Sequence, residues 1–299
     1  MSTLLKTVYD RVVGRQDEIV MIISALAAGK HLFLEGPPGT SKSTILRAVA
    51  ECSGRAFCLV TGNSDMTTSK LIGFFDPAET LSRGYLPEHF YPGPLVLAMK
   101  EGMYLYVEEF NRLPDETTNV FVTVMSDKKL AVPRLGVVDA HENFRIIAAL
   151  NPLDDIGISR ISRALKDRFC SFKMEYQTRD EEIEIVKRTT CEPADDLVEL
   201  AVDMARTSRK HPDLKLGASV RASIDMVLIY RQALQILRVV ETEECRESLE
   251  RLLLNSAMMA FRNRIWLYEI SEKSPEEIVE DIFFGLRGSK KKTITLKTL

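Results

Sequence analysis

Long apolar runs are missing from this 299-residue chain. No stretch of about 18 uninterrupted apolar residues occurs, so no membrane-spanning helix is expected. The opening MSTLLKTVYDRVVGRQ meets charge too soon to hold the apolar region of a secretion signal, and the expected location is the cytoplasm. C-x-x-C spacing is missing too. Cys52, Cys58, Cys170, Cys191 and Cys245 are scattered, which speaks against a zinc site or a disulfide framework and for reduced, structural thiols. Neither sign of charge is in large excess: 40 basic against 43 acidic residues leave a formal charge of −3, which gives no global electrostatic reason to bind nucleic acid. The lysine cluster in GSKKKTITLKTL (288–299) reads as a solvated tail. Internal repeats and low-complexity segments are absent as well.

What is present is an ordinary apolar fraction, 45%, in a chain long enough for two domains at roughly 100 to 200 residues each. In the first half, short β-rich runs alternate with helical patterns, the signature of a parallel sheet covered by helices. The strand candidates are HLFLEG (31–36), AFCLVTG (56–62), MYLYVEE (103–109), RIIAALN (145–151) and SFKMEY (171–176). Four of them are mostly apolar, as strands buried on both faces are. Helices are expected over 16–28, 43–52, 115–126 and 159–167, and KLAVPRLGVVDA (129–140) reads as a hairpin with RLG at its tip. The connection 63–100 is too long for a plain crossover, so it is read as an inserted or functional element. After Tyr176 the strand signals stop and amphipathic helices follow one another. TRDE (178–181) and SPEE (274–277) both fit a capping box. The expected division is therefore a sheet domain over 1–176, with an insertion at about 63–100, and a helical domain over 177–299.

The chemistry starts at LEGPPGTSKSTIL (34–46), which nearly spells the phosphate-binding pattern G-x-x-x-x-G-K-[ST]. Gly36, Pro37, Pro38, Gly39, Thr40 and Ser41 lie between a predicted strand and a predicted helix. In that context backbone N–H groups and the helix N-terminus face an anion. Lys42 would reach the β- and γ-phosphates, and Ser43, followed by Thr44, would place its hydroxyl on Mg²⁺. Ser41 departs from the pattern, where a second glycine is usual. Serine keeps the backbone N–H, so the loop is expected to survive with φ negative at that residue. MYLYVEE then ends an apolar strand in two carboxylates, with Glu108 as the metal-side group and Glu109 as the group that polarises the attacking water. Strand ends are where ligands bind in α/β sheets. Asn151 ends another strand in LNP and could hydrogen-bond the γ-phosphate or the water.

Taken in order, these motifs resemble those of the AAA+ ATPases, and within them the MoxR branch. The resemblance runs from VVGRQDEI (12–19) through GASVRAS (217–223) and includes EEFNR (108–112), YPGPL (91–95), LNP (150–152) and SRALKDRF (162–169). It implies a P-loop NTPase fold, a three-layer parallel-sheet core followed by an all-helical lid. It also implies ATP as the nucleotide with Mg²⁺. Val13 and Gly14 would lie near the adenine, Asn151 would be the first sensor and Arg221 the second. Arg168 matches the arginine finger that acts on a neighbouring subunit's nucleotide, with Arg160 and Arg163 as competitors; always-charged guanidinium suits that task. A finger supplied from a neighbour implies a homo-oligomeric ring, hexameric in the family. The implied activity is remodelling or maturation of a protein client, such as a metalloenzyme, often with a partner carrying a von Willebrand factor A domain. A nucleotide-gated assembly module with little hydrolysis is the alternative. Phe74, Phe75, Tyr85, Phe90 and Tyr91 equip the insertion either to grip a polypeptide or to anchor it to its own domain.

Overall fold

The computed structural model describes residues 2–152, 161–240 and 245–289. The chain divides into two compact units, Met1–Glu175 and Tyr176–Leu299. The first is built on five strands: β1 (His31–Glu35), β2 (Phe57–Thr61), β3 (Tyr104–Glu108), β4 (Arg145–Leu150) and β5 (Phe169–Lys173). They form one sheet in the order β2-β3-β4-β1-β5, and every pairing is parallel. β5 begins two residues before the sequence signal, at Phe169 rather than Ser171. The reason is long-range: Phe169 pairs with His31 and packs on Phe33 and Phe110 in the core.

Side-chain alternation along the strands divides the core into two layers. Leu32, Leu34, Tyr106, Ile147 and Ala149 face one side and pack with α1 (Ser2–Arg11), α2 (Gln16–Ala27) and α3 (Lys42–Cys52). Phe33, Leu105, Val107, Ile146 and Ala148 face the other, against α4 (Pro94–Glu101) and α5 (Asp115–Asp127). Central strands covered on both faces need no polar side, which is why their sequences read as continuous apolar runs.

Register lines up one edge of the sheet. Glu35 stands beside Leu150 and Lys173, and Thr61 stands beside Glu108. The residues that follow these strands, Gly36, Asn151, Met174, Gly62 and Glu109, therefore lie along the carboxyl-terminal edge.

Two small antiparallel pairs stand outside this sheet. Lys129–Val132 pairs with Gly136–Asp139, with Arg134 at φ 69° in the turn. Gly73–Phe75 pairs with Phe90–Pro92 and encloses the short helix Pro77–Arg83. The end of the long 63–100 connection is α4 itself, whose Leu95, Val96, Ala98 and Met99 are fully buried in the core. Within the connection Phe75 packs edge-on to Phe90 and Tyr85, while Phe74 and Tyr91 stack on each other and are both 55% exposed. Anchoring and outward-facing aromatics are thus different residues. Arg134 lies 4.7 Å over the Tyr85 ring and ties the two antiparallel pairs together.

The second unit packs α6 (Arg179–Thr190), α7 (Asp195–Ser208), α8 (Val220–Val240), α9 (Cys245–Phe261) and α10 (Pro275–Ser289) around one apolar core. Both capping boxes form: the Glu181 carboxylate accepts from the Thr178 amide at 2.8 Å, and that of Glu277 from the Ser274 amide at 2.7 Å. Among the described residues this unit is helical apart from one short antiparallel pairing, Leu214–Leu216 with Trp266–Leu267, which sequence periodicity did not signal because it spans so few residues. Among the described residues no helix is long and apolar enough to cross a membrane. The lysine-rich tail beyond Ser289, Arg160 and the start of the expected 159–167 helix lie outside the described residues; within them the helix is Arg163–Lys166.

Candidate functional site

Strand β1, the loop after it and helix α3 form the centre of the site. The Gly36 amide donates to the Leu150 carbonyl at 3.2 Å, and a Cβ added to Gly36 would lie 2.3 Å from the Met174 carbonyl oxygen, so only glycine fits between β4 and β5 here. Gly39 turns the loop at φ 78°. The Thr40 hydroxyl, buried, donates to the Pro37 carbonyl at 2.9 Å. The Lys42 ammonium folds into the loop, donating to the Gly36 and Pro37 carbonyls at 2.7 and 2.9 Å and lying 3.2 Å from Thr40 Oγ1. Its charge therefore sits at the mouth of a loop whose helix end already favours anions.

Ser41 corrects one expectation. Its φ is 65° with ψ 17°, left-handed rather than negative. The turn into α3 imposes this conformation, which explains the pattern's preference for glycine; serine adopts it at a cost of about 1–2 kcal/mol.

The acidic strand end meets this loop directly. The Ser43 hydroxyl donates to the Glu108 carboxylate. Glu109 leaves the strand at φ 51°, ψ 42°, and its carboxylate lies 3.2 Å from the Arg112 guanidinium. Gly62 supports this turn and carried no signal in the sequence: its amide donates to the Glu108 carbonyl at 2.7 Å, and a Cβ there would meet the Glu109 carbonyl oxygen at 2.4 Å. Asn151 follows β4 and is half-buried, on the strand lying between those that carry Glu108 and Gly36.

The Val13-Gly14 turn is held near the same edge by a residue that motif reading passed over. Gly14 and Arg15 both have φ 65°, which turns the chain into α2. Arg15 is buried; its guanidinium pairs with Glu18 at 2.7 Å and donates to the Glu175 carbonyl, next to the Met174 that abuts Gly36. A mostly apolar stretch ending in a lone arginine gives no local sign of this long-range bond. Thr44 is exposed on the first turn of α3.

Within the first unit, the candidate arginine Arg168 is not brought to this edge. Arg168 precedes Phe169, which pairs with the first residue of β1, so it lies at the opposite edge of the sheet, about 16 Å away along a five-residue strand. There its Nε donates to Ser126 Oγ and its Nη1 to the Ala164 carbonyl, both at 2.6 Å. Arg163 is exposed beside it. Arg221 belongs to the second unit, exposed in the first turn of α8, where its carbonyl accepts from Arg264 at 3.2 Å.

Residues 31–169 match the family described as the AAA domain of the dynein-related subfamily. Over 215 residues the chain is 30% identical to the gas vesicle ATPase GvpN1 of Halobacterium salinarum, covering 67% of this chain and 61% of that protein. The gas vesicle ATPase GvpN of Haloferax mediterranei is 28% identical over the same shares, so the chain spans about three fifths of these relatives. An uncharacterized protein of Staphylococcus saprophyticus is 27% identical over 80% of this chain and 93% of its own length. Among solved structures, a Cytophaga hutchinsonii protein described as a candidate ATPase superposes with a TM-score of 0.52 at 17% identity, covering 95% of this chain and 93% of that one. A Thermotoga maritima RuvB mutant does so with a TM-score of 0.56 at 17% identity, over 84% and 71%; both likenesses concern the fold. The five-stranded parallel sheet, the phosphate-type loop and the helical second unit fit an α/β AAA+ fold with a helical lid, and residues 31–169 are the part that matches the AAA domain of the dynein-related subfamily.

Proposed function

We propose that this protein is an ATP-hydrolysing AAA+ machine of the MoxR type, working as a homo-oligomeric ring, hexameric as in that branch, on a protein client. The observation that carries the ATPase reading is the hydrogen bond from Ser43 to Glu108, which joins the phosphate-type loop to the acidic strand end. Those are the oxygen groups that would hold Mg²⁺, and they already face each other, so glutamate reaches the position where aspartate is common. Bound Mg²⁺ supplies charge neutralisation at the phosphates. Around it Gly36 to Thr44 would wrap the triphosphate, with Lys42 exchanging its loop carbonyls for phosphate oxygens. Val13 and Gly14 would border the adenine.

Glu109 would take a proton from the attacking water. Arg112 at 3.2 Å keeps that carboxylate turned aside in this conformation, so the water-polarising state requires Glu109 to swing from Arg112 towards the γ-phosphate. Asn151 would hold the γ-phosphate or the water from the adjoining strand. The likeness to the gas vesicle ATPases supports ATPase activity.

The ring reading rests on Arg168. It lies away from its own loop, so its role as a finger requires a neighbouring subunit. Arg221 would act as the second sensor. The stacked, exposed Phe74 and Tyr91 suit contact with a polypeptide client, and a protein carrying a von Willebrand factor A domain is the proposed partner. Near-neutral charge argues against nucleic acid.

Subunit mixing tests this. Arg168→Ala and Glu109→Gln chains are each expected to release little phosphate, while a mixture regains a fraction, because an intact Glu109 site can then border an intact Arg168. No regain would remove the basis for a finger acting between subunits.

A further inference from the structure

At the sheet edge opposite the phosphate-type loop lies a cavity of about 320 Å³, near the lower end of the range for small-molecule sites. It opens between the ends of α2 and α3 and the starts of β3 and β4. Ile23, Leu26 and Val49 give it an apolar wall, and Arg55, Arg145, Tyr104 and Asn143 supply polar groups.

Two arginines sharing a cavity is an electrostatic expense. Arg145 is shifted down from the usual arginine range, first by burial, with Arg55 adding to the shift, against the opposing influence of Tyr104 and Glu142. A simple explanation is that both guanidiniums cap the carbonyl ends of the two helices. That holds for Arg145, which donates to the Leu26 carbonyl at 3.3 Å and to the Glu142 and Phe144 carbonyls at 2.6 and 2.7 Å. It does not hold for Arg55. The last carbonyls of α3 are served by other groups: the Ser53 hydroxyl donates to Val49 and Ala50 at 2.7 and 3.0 Å, and the Arg55 backbone amide donates to Ala50 at 2.9 Å. Among the described residues the Arg55 guanidinium makes no hydrogen bond or ion pair, although Glu51, nearby on α3, is paired with Arg11.

We propose that this cavity binds a small organic anion, a carboxylate or phosphate on a short apolar body, with Arg55 and Arg145 at the charge and the Ile23, Leu26 and Val49 wall against the body. Arg145 is already organised by three carbonyls, and Arg55 brings unspent donors. The tyrosine hydroxyl and asparagine amide add neutral donors that either anion accepts. The site lies a strand's length from the nucleotide loop, so the inference stands or falls independently of the ATPase reading.

The test is calorimetric titration of the full chain, wild type and Lys42→Ala, with phenyl phosphate, benzoate and neutral benzyl alcohol. At least one anion is expected to bind both chains with similar affinity, and benzyl alcohol to bind much more weakly; which anion binds separates the two chemistries. Arg55→Gln, at a half-exposed side chain, is expected to weaken binding roughly ten- to hundredfold, the loss of a charge-assisted hydrogen bond. Ala27→Trp, placed at the exposed mouth with both arginines intact, is expected to block binding. The proposal is overturned if neither anion binds, if benzyl alcohol binds equally well, if Lys42→Ala abolishes binding, or if folded Arg55→Gln binds as the wild type does.

Discussion

Replacing Ser41 with glycine should stabilise the nucleotide-binding unit, although it removes a side chain from a candidate ligand loop. Ser41 is held at φ 65°, ψ 17°. A Cβ in that region costs about 1–2 kcal/mol, whereas glycine is free of that cost but loses roughly 0.5–1 kcal/mol more backbone entropy on folding. The difference is a net gain of about 0.5 kcal/mol, reaching about 1.5 kcal/mol if the full strain is relieved. Valine goes the other way: a β-branched side chain is a stronger outlier at positive φ, and Ser41→Val should lose 1 kcal/mol or more, on the scale of about 1–3 kcal/mol for such strain. The assay is urea unfolding, following the transition that ATP shifts, since ligand linkage marks the unit that binds it. The expected order of midpoints is glycine, serine, valine, with ATP binding retained in the glycine variant and weakened in the valine one. A glycine variant less stable than wild type would refute the assignment of strain to this residue.

Two further perturbations follow from the geometry. His31 is pushed down to about 4, chiefly by burial and then by Arg145 and Lys128, and its Nδ1 accepts from the Ile146 amide at 2.9 Å. The folded state therefore keeps it neutral while the unfolded chain protonates it near pH 6.5, so stability is fully present above that pH and falls as pH drops towards 4, by at most about 3 kcal/mol. His31→Asn, which keeps an acceptor, should flatten this part of the stability profile; an unchanged slope between pH 6.5 and 4 would count against the buried neutral histidine. Gly62→Ala should push the Glu109 turn aside, because the new Cβ would start 2.4 Å from its carbonyl oxygen. Phosphate release should fall tenfold or more, in line with the cost of misplacing a catalytic group by about 1 Å, while ATP affinity changes little. Unimpaired release would show that the turn does not position Glu109.

The parts of this molecule that were legible in the sequence are those whose cause is local. Strands buried on both faces write themselves as apolar runs, and LEGPPGTSKST carries its strand, turn and helix within one short segment. Helix starts at Thr178 and Ser274 were legible because a capping box is completed within four residues. What was hidden depends on distant chain segments. The order of the strands follows from crossovers, and Phe169 joins β5 because His31 and Phe33 receive it. Gly62 looks like any glycine after a strand until Glu109 is seen against it, and Arg15 gains its meaning only from Glu175, far along the chain. The positive φ of Ser41 was obscured by the residue itself, since serine reads as a small, permissive choice. Among the aromatics of the 63–100 connection, sequence could not divide anchors from exposed rings, because both sets share composition and only packing separates Phe75 from Phe74.

Phosphate release from ATP by wild type and by Glu109→Gln, with ATP binding measured on the same preparations, tests the central claim most directly. Expected are measurable turnover in the wild type, a loss of about a hundredfold or more in the variant, on the scale of general-base catalysis, and ATP binding within a few-fold of wild type. Equal rates in the two chains, whether both near zero or both substantial, would contradict the assignment of Glu109 as the group that polarises the attacking water.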